Sequence, residues 1–362
     1  MMNRSIYLRK DGRWEARIFF GTDENGKRKS RSFYGKTREE AEHKLLMLQQ
    51  NFSNAYVITE MTVKELAVEF LNTLSIRLKE STVANYRMKI EKHIIPAFGE
   101  IQCCLLNNKI IYQFIEQKLK SKLSVRYVTD ILVLMKSMFR YASREYHMKN
   151  MLEDITMPKC QKPEIKILSE KQQEILKQYI MKHQNVTTLG IALSLYTGIR
   201  IGELCALQWS DVDLKKRILT VRKTIQRIQS PNKTQRTRLV ITAPKSHSSC
   251  REIPIPDCLY EMLLKFKSNQ NIYILSRKTK PIEPRTMQYR FAKILKNANL
   301  PSVHYHTLRH AFATNCVALG FDIKILSEIL GHSSVELTLN RYVHSSMKRK
   351  QYCMNLLSWS VL

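Results

Sequence analysis

The spacing of apolar residues changes along this chain of 362 residues, and each spacing favours one kind of secondary structure. Between two turn-like sequences, 10–13 and 23–26, apolar and polar residues alternate from Trp14 and Ala16 onward, as in a β-strand. From 59 to 158 the apolar residues instead recur with helical spacing. Examples are Val128, Ile131, Leu132, Met135, Met138 and Phe139. The two patterns predict a small N-terminal sheet followed by a helical domain.

Signals between these regions complete the predicted architecture. A third strand is predicted at about 28–34, and Thr37 with Glu40 has the form of a capping box that opens a helix. The polar segment 158–163 has a proline at each end and is predicted to be a linker. Helices and short strands are predicted beyond it, the strands at about 217–225, 238–243 and 250–255. The expected fold is α+β and multidomain, with domains at 1–58, 59–158 and 164–362.

The charge of the chain indicates a polyanionic partner. It carries 60 Lys and Arg against 31 Asp and Glu, and +20 of the net charge of +29 lies in residues 159–362. Such an excess favours phosphates, because each basic side chain placed on one releases a condensed counterion. There is no apolar run of the ~18 residues that span a bilayer, and no signal-peptide core. The eight cysteines form no C-x-x-C pair, which suits a reducing cytosol and predicts neither zinc nor disulfides.

Four short motifs in the last third of the chain supply the groups of a phosphoryl-transfer site. A tyrosine hydroxyl can attack phosphorus and form a covalent phosphotyrosine if cations neutralise the phosphate and other groups carry the protons. The motifs offer two arginines, two histidines and one tyrosine, in the order TGIRIGEL (197–204), HTLRH (306–310), LGH (330–332) and RYVH (341–344). The predicted catalytic residues are Arg200, His306, Arg309, His332 and Tyr342.

These motifs closely resemble those of the tyrosine recombinase (phage integrase) family, most strongly over about 165–350. The segment TGIRIGELCALQWSDVDL (197–214) matches the family pattern around its first catalytic arginine over eighteen positions. TVANYRMKIEKHIIPAFGEI (82–101) resembles the SAM-like core-binding domain, whereas GRWEAR and FYGKTREEAEHKL are similar to the arm-type domain of mobile-element integrases. The resemblance implies an arm-type domain of three strands and a helix, an all-α core-binding domain, and a mainly-α catalytic domain with a small antiparallel sheet.

The resemblance also implies roles for residues outside these motifs. Lys245, in TAPKSHSSCREIPIP (242–256), corresponds to a catalytic lysine at a hairpin tip that protonates the departing 5′ oxygen. Lys233 in the preceding loop is the alternative. Glu203 and Asp211 are expected to hold the loop and helix around the first arginine in place and to do no chemistry.

Basic residues outside the site are predicted to contact DNA. A basic face of the N-terminal sheet can enter the major groove, and basic residues on helices and strand ends can reach phosphates. For any single lysine on a helix, simple exposure to solvent is the alternative. The predicted DNA-binding residues are Arg17, Lys27, Arg28, Lys29, Arg31, Lys89, Lys92, Arg222 and Lys223.

No metal and no cofactor is predicted. His306 and His310 have the i, i+4 spacing of zinc ligands, but Arg309 beside them would repel a metal ion. Two arginines can instead deliver the positive charge, and a phosphotyrosine stores the free energy of the broken bond for religation.

The expected function is therefore site-specific recombination, in which a tyrosine recombinase integrates and excises a mobile element through a 3′-phosphotyrosine intermediate. The expected partners are double-stranded DNA, at core and arm-type sites, and further copies of the chain in a homotetramer, with no membrane. An excision factor and a host DNA-bending protein remain open, and the expected location is the nucleoid in a bacterial cytoplasm. Two alternatives are a DNA-binding regulator without catalysis and a relaxing enzyme of the type IB topoisomerase kind. The arm-like domain favours recombination over relaxation.

Overall fold

A computed structural model of the chain describes residues 4–22, 28–45, 61–148, 150–160, 167–230, 236–243 and 249–342, together with 351, 354 and 355. The chain divides into two compact units, Met1–Gln161 and Lys162–Leu362, and the boundary between them in the sequence falls within the predicted linker 158–163. The predicted boundary at 58 lies outside the described residues, so the separation of an arm-type from a core-binding domain stays a prediction. In the described part of the chain, every helix is too short or too polar to cross a membrane.

The first unit begins with an antiparallel sheet in the order β1–β2–β3, formed by Arg4–Leu8, Trp14–Thr22 and Arg28–Gly35. The predicted turn at 10–13 joins the first two strands, whereas the turn predicted at 23–26 lies outside the described residues. Helix α1 (38–45) follows the sheet.

Alternation along β2 places apolar and polar side chains on opposite faces of this sheet. Ala16 faces helix α1 and is fully buried together with Ala41 and Leu45 of that helix. Trp14 and Phe33 pack around this small core. One face of the sheet is therefore covered by its own helix, and the other carries the polar residues of the alternation.

A helical bundle forms the rest of the first unit, as predicted. Its helices are α2 (Val63–Arg77), α3 (Glu80–Lys89), α4 (Ile95–Phe98), α5 (Asn108–Lys120) and α6 (Val125–Tyr146). Thr62 and Glu65 form a capping box at the start of α2, in which each side chain accepts a hydrogen bond from the other residue's backbone N–H. The apolar faces of the helices meet in one core, where Ile90, Ile131 and Phe139 are at most 1% exposed.

The second unit is mainly α-helical. Its helices are α7 (Glu170–Lys182), α8 (Val186–Thr197), α9 (Ile201–Cys205), α10 (Asp257–Phe266), α11 (Pro284–Asn297), α12 (Thr307–Ala318), α13 (Ile323–Leu330) and α14 (Val335–Tyr342). Helix α8 is apolar around its circumference, and it packs against α7, α10, α11 and α12. It is therefore the centre of the core, and its end is held on several sides.

In the described residues of the second unit, five short strands form two antiparallel sheets. They are β4 (Val212–Asp213), β5 (Ile218–Val221), β6 (Thr224–Gln229), β7 (Thr237–Thr242) and β8 (Arg251–Pro254). One sheet has the order β4–β5–β8, and the other pairs β6 with β7. The predicted α+β fold class is thus confirmed, with a small sheet and a helical bundle in the first unit and a mainly-α second unit.

The strands differ from the sequence prediction at two points. The strand predicted at about 217–225 is two strands, because the chain leaves one sheet after β5 and enters the other at β6. The predicted hairpin tip around Lys245 is wrong, since β7 and β8 on either side of it pair with different strands. Lys245 and its alternative, Lys233, both lie outside the described residues.

Candidate active site

Arg200 lies at the junction between two helices of the second unit. Helix α8 ends at Gly198, whose φ of +63° turns the chain away from the helix axis, and α9 begins directly after Arg200. The Arg200 guanidinium donates from Nη1 to Glu203 Oε1 at 2.8 Å and from Nη2 to the Gly331 carbonyl at 2.9 Å. About a third of the side chain (36%) stays exposed, so the cation is held in place and still accessible to a substrate.

Glu203 is the buried anion of the site, with 4% of its surface exposed. Its carboxylate accepts from the Arg200 guanidinium, from the Arg200 backbone N–H at 3.1 Å, and from Arg251 Nη2 at 2.9 Å. Burial by itself would raise the pKa of Glu203, but the charges and hydrogen bonds of Arg251 and Arg200 hold that pKa below its ordinary value. Glu203 is therefore an ionised positioning group, as its expected structural role requires.

Arg309 is the second predicted arginine, on α12, and is only 2% exposed. It donates from Nη1 to the Gly198 carbonyl at 2.8 Å and from Nη2 to the Leu330 carbonyl at 2.7 Å. The two predicted arginines therefore contact neighbouring carbonyl groups, of Leu330 and Gly331, although 109 positions separate them in the sequence.

The C-terminal end of α13 organises all of these cations. Three consecutive carbonyls, of Ile329, Leu330 and Gly331, accept hydrogen bonds from Arg251, Arg309 and Arg200 respectively. The last carbonyls of a helix have no partner within the helix, and the negative end of its dipole attracts cations. The helix end thus provides both the acceptors and the field that gather three arginines at one point.

His332 follows this helix end directly. Its Nδ1 lies 2.8 Å from the hydroxyl of Thr338, a fully buried residue on α14, and its backbone N–H donates to the Ser327 carbonyl at 3.1 Å. Both contacts fix the imidazole relative to Arg200 and Arg309, which hold the two preceding carbonyls. The predicted histidine is therefore oriented from helix α14, which ends at Tyr342.

His306 begins helix α12 and is exposed. Its ring packs edge to face against the buried His310, with 4.8 Å between ring centroids. His306 and Arg309 are one helical turn apart, as the H-x-x-R spacing predicts. In the described ranges, no three His, Cys, Asp or Glu side chains cluster as metal ligands would.

The side chains of two predicted catalytic residues, Tyr342 and Lys245, are not among those that the structure describes. Tyr342 is the last residue of α14, and its side chain lies outside the described residues. Lys245 lies in the segment 244–248, which is also outside them. The structure thus brings Arg200, Arg309 and His332 together around the end of α13, and it places the backbone of Tyr342 one short helix further along the chain.

Arg251 is the residue of this site that the sequence prediction missed. It is the first residue of β8, and its side chain is 5% exposed. A signal was present: Arg251, Ile253 and Ile255 alternate with exposed residues in REIPIP, so the arginine stands on the buried face of the strand. A charged residue at such a position needs charged or polar partners, which here are Glu203 and a helix end.

Of the predicted DNA-binding residues of the N-terminal sheet, Arg17 lies beside Glu15, which is 1% exposed on the face opposite α1. Its carboxylate accepts from Ser32, Arg17 and Arg9 at 2.6–2.9 Å. These hydrogen bonds, that of Ser32 foremost, outweigh burial and lower the pKa of Glu15 to about 2. The Arg17 and Arg9 guanidiniums also lie 5.8 and 5.3 Å from the ring centres of Tyr7 and Tyr34. This face is therefore a layer of ordered arginines and tyrosines.

The other predicted DNA-binding residues differ in their surroundings. Lys89 is 8% exposed, with its ammonium 3.5 Å from Asp130, a geometry that favours an internal ion pair over a phosphate contact. Lys92, Arg222 and Lys223 are exposed. Arg28, Lys29 and Arg31 belong to β3, but their side chains, like all of Lys27, lie outside the described residues.

Comparison with known families identifies the chain. Residues 159–349 match the phage integrase family, and residues 62–119 match the SAM-like N-terminal domain of phage integrases. The chain belongs to the phage integrase family. It is a tyrosine recombinase, an enzyme that transfers DNA strands in site-specific recombination.

Similar proteins cover nearly the whole length of this recombinase. It is 27% identical to a tyrosine recombinase XerC-like protein of Caldanaerobacter subterraneus subsp. tengcongensis, over 99% of each chain. It is 24% identical to the ICEBs1 integrase of Bacillus subtilis, over 94% of this chain and 95% of that one. Among solved structures, the Tn1549 transposon integrase bound to a circular intermediate DNA has the same fold, with a TM-score of 0.70 and 20% identity. That match covers 82% of this chain and all of the other.

Proposed function

We propose that this recombinase integrates and excises a mobile element, and that Tyr342 is the nucleophile that cleaves each DNA strand. The observation that carries the assignment is the convergence of Arg200 and Arg309 on adjacent carbonyls at the end of α13. His332 follows these carbonyls, and the next helix ends at Tyr342. The similarity to the integrase of ICEBs1 over nearly the whole chain supports a mobile element as the DNA that is moved.

The proposed chemistry is an exchange of phosphodiester bonds. The Tyr342 oxygen attacks the scissile phosphorus, the bond from phosphorus to the 5′ oxygen breaks, and a 3′-phosphotyrosine forms. Arg200 and Arg309 neutralise the charge that grows on the non-bridging oxygens, for which the planar guanidinium is suited. The 5′ hydroxyl of the partner strand then attacks the phosphotyrosine and releases Tyr342, so that no bond energy is lost and no cofactor is required.

Proton transfer is assigned to two residues, and a third holds the phosphate. Lys245 protonates the departing 5′ oxygen, and the exposed imidazole of His306 takes the proton of the Tyr342 hydroxyl. His332, oriented by Thr338, donates a hydrogen bond to the phosphate. Because religation is the reverse of cleavage, Lys245 takes a proton back from the attacking 5′ hydroxyl, and His306 returns its proton to the departing Tyr342 oxygen.

The N-terminal sheet is proposed to bind a second DNA sequence, separate from the one that is cleaved. Its uncovered face carries Arg9 and Arg17 on the carboxylate of Glu15 and beside the rings of Tyr7 and Tyr34. Ordered guanidiniums recognise both phosphates and guanine edges, and an antiparallel sheet can be placed in the major groove. An integrase that bridges an arm site and a core site requires two separate DNA-binding surfaces, and the N-terminal sheet would provide one of them.

We propose a homotetramer as the active assembly, because two duplexes contain four strands and each chain supplies one Tyr342. We expect it at the nucleoid of a bacterial host, since its substrate is DNA. Recombination with purified chain and DNA alone tests whether integration or excision also needs an excision factor or a host DNA-bending protein.

A suicide substrate tests the nucleophile. DNA from the ends of the element, nicked near the cleavage point, loses a short fragment after cleavage and traps the covalent adduct. We expect Tyr342→Phe to form no adduct and to bind DNA as the wild type does. Tyr289→Phe, which alters an exposed tyrosine on α11, is the matched control and should form the adduct normally. Adduct formation by Tyr342→Phe at the wild-type level would refute the proposal.

A further inference from the structure

Arg251 is a buried arginine whose guanidinium is fully hydrogen-bonded within the second unit. Its side chain is 5% exposed, and all three guanidinium nitrogens donate: Nη2 to Glu203 Oε2 at 2.9 Å, Nε to the Ile329 carbonyl at 2.5 Å and Nη1 to the Ser249 carbonyl at 3.2 Å. The mechanism described above does not use this residue. Its two longer-range partners nevertheless both belong to the surroundings of Arg200.

The first link from Arg251 to Arg200 runs through one carboxylate. Glu203 Oε2 accepts from Arg251, and Glu203 Oε1 accepts from Arg200 Nη1 at 2.8 Å. Each guanidinium thus has one oxygen of this carboxylate, and Oε2 also accepts from the Arg200 backbone N–H at 3.1 Å. If Arg251 were removed, Arg200 would be the only remaining guanidinium on the carboxylate, and both oxygens could close on it in the bidentate geometry that carboxylates and guanidiniums favour.

The second link runs through the helix end. Arg251 holds the carbonyl of Ile329, which is two residues before Gly331, the carbonyl partner of Arg200. The same three-residue turn leads into His332. Arg251 therefore fixes both groups that orient Arg200.

We propose that Arg251 is a positioning residue for strand cleavage, and that it acts through Arg200. By occupying Glu203 Oε2, it limits the carboxylate to a single hydrogen bond with the Arg200 side chain and keeps that guanidinium directed at the scissile phosphate. By holding Ile329, it keeps the acceptor of the second Arg200 nitrogen in place. This assignment rests on the proposed function, in which Arg200 neutralises that phosphate.

Single-turnover cleavage of the suicide substrate tests this role. We expect Arg251→Met to slow cleavage by about 10- to 100-fold, the range typical of residues that orient an active-site ligand without touching the substrate. Arg251→Lys should also be slow, because one ammonium cannot reproduce the fixed fork that reaches both Glu203 and Ile329. Affinity for the DNA should stay within about twofold for both variants. Arg290→Met, which removes an exposed arginine on α11, is the control and should cleave like the wild type.

Two further measurements separate positioning from a general loss of structure. In an Arg200→Ala background, Arg251→Met should cause no additional loss beyond about twofold, because the residue through which it acts is already absent. With a methylphosphonate at the cleavage site, which lacks the charge that Arg200 neutralises, the effect of Arg251→Met should shrink to within about threefold. Damage to the fold would slow both substrates and both backgrounds equally, and that outcome would overturn the proposal.

The controls also distinguish failure of this inference from failure of the proposed function. If Tyr342→Phe abolishes the adduct while Arg251→Met and Arg251→Lys cleave like the wild type, only the role of Arg251 is wrong. If Tyr342→Phe still forms the adduct, the proposed function falls with it. Should Arg251→Met fail to fold, the double variant Glu203→Met with Arg251→Met removes both buried charges together, which a core tolerates far better than one unpaired charge. A folded double variant that cleaves at the wild-type rate would also overturn the inference.

Discussion

Gly198 connects α8, the central helix of the catalytic unit, to Arg200. Its replacement by alanine should lower the free energy of unfolding for two separable reasons. Its φ of +63° lies in the left-handed region, where a Cβ costs about 1–2 kcal/mol. A Cβ at this position would also lie 2.5 Å from Phe312 Cδ1 and 2.9 Å from Leu330 Cδ2. Both side chains are buried in a packed cluster, so relief of these contacts adds about 1–3 kcal/mol of overpacking.

Gly320 offers a matched control within the same unit. Its φ of +85° carries the same backbone strain, but a Cβ there would have no neighbour within 4 Å in the described part of the chain. Gly320→Ala should therefore destabilise the unit by the strain alone, and Gly198→Ala should exceed it by about 1–3 kcal/mol. Gly198→Ala should also slow cleavage, because the Gly198 carbonyl is an acceptor for Arg309.

Hydrogen exchange of the full-length chain, followed by mass spectrometry, measures this difference. The most protected amides of α8 and α12 report the free energy of opening of the unit. They should exchange about 5- to 150-fold faster in Gly198→Ala than in Gly320→Ala, which is 1–3 kcal/mol expressed as a ratio. Equal protection in the two variants would show that the core absorbs the extra methyl group, and the packing argument would then be wrong.

Three further predictions concern the arginines, the N-terminal sheet and the two DNA addresses. Arg200→Lys and Arg309→Lys should each slow single-turnover cleavage by about 100- to 1000-fold, because an ammonium lacks the paired donors; wild-type rates in either variant would contradict this. Glu15 has a pKa of about 2 against an ordinary 4.5, so its stabilisation of the sheet is complete above pH 4.5 and is lost as the pH falls toward 2. Glu15→Gln should flatten that pH dependence, measured by Trp14 fluorescence with the other tryptophans replaced by phenylalanine; an unchanged slope would argue against it. A chain without residues 1–55 should still form the adduct but lose efficient integration. If footprinting of the full-length chain showed only one kind of DNA site, and the shortened chain recombined as well as the intact one, the second DNA-binding site would be refuted.

The sequence predicted those parts of the molecule that depend on local signals. The hairpin of β1 and β2 follows from the turn at 10–13 and the alternation after it, both of which act over a few residues. The approach of Arg200, Arg309 and His332 to one another followed from the order of the motifs, once a family with the same order was known.

What the sequence did not predict depends on contacts between distant segments. Arg251 meets Glu203 across 48 positions, and only its place in an alternating strand hinted at burial. The two sheets could not be told from one, because β5 and β6 are separated by two residues and their partners lie far along the chain. Lys89 was predicted to contact DNA from a helix surface. It is buried instead, and Asp130 on another helix supplies the opposite charge for its ammonium.

The contact between His332 and Thr338 connects the end of α13, where the arginines are held, to the short helix α14. Thr338 lies on the short helix that ends at Tyr342, whereas His332 lies on the anchored turn that the arginines hold. Withdrawal of that helix would remove the hydroxyl that orients the imidazole in the same movement that removes Tyr342, the proposed nucleophile. A copy whose α14 is withdrawn would thus lose both Tyr342 and the orientation of His332, while Arg200 and Arg309 stay in place. Such a copy would be fully inactive in cleavage. A DNA strand bound by such a copy would remain bound and would not be cleaved.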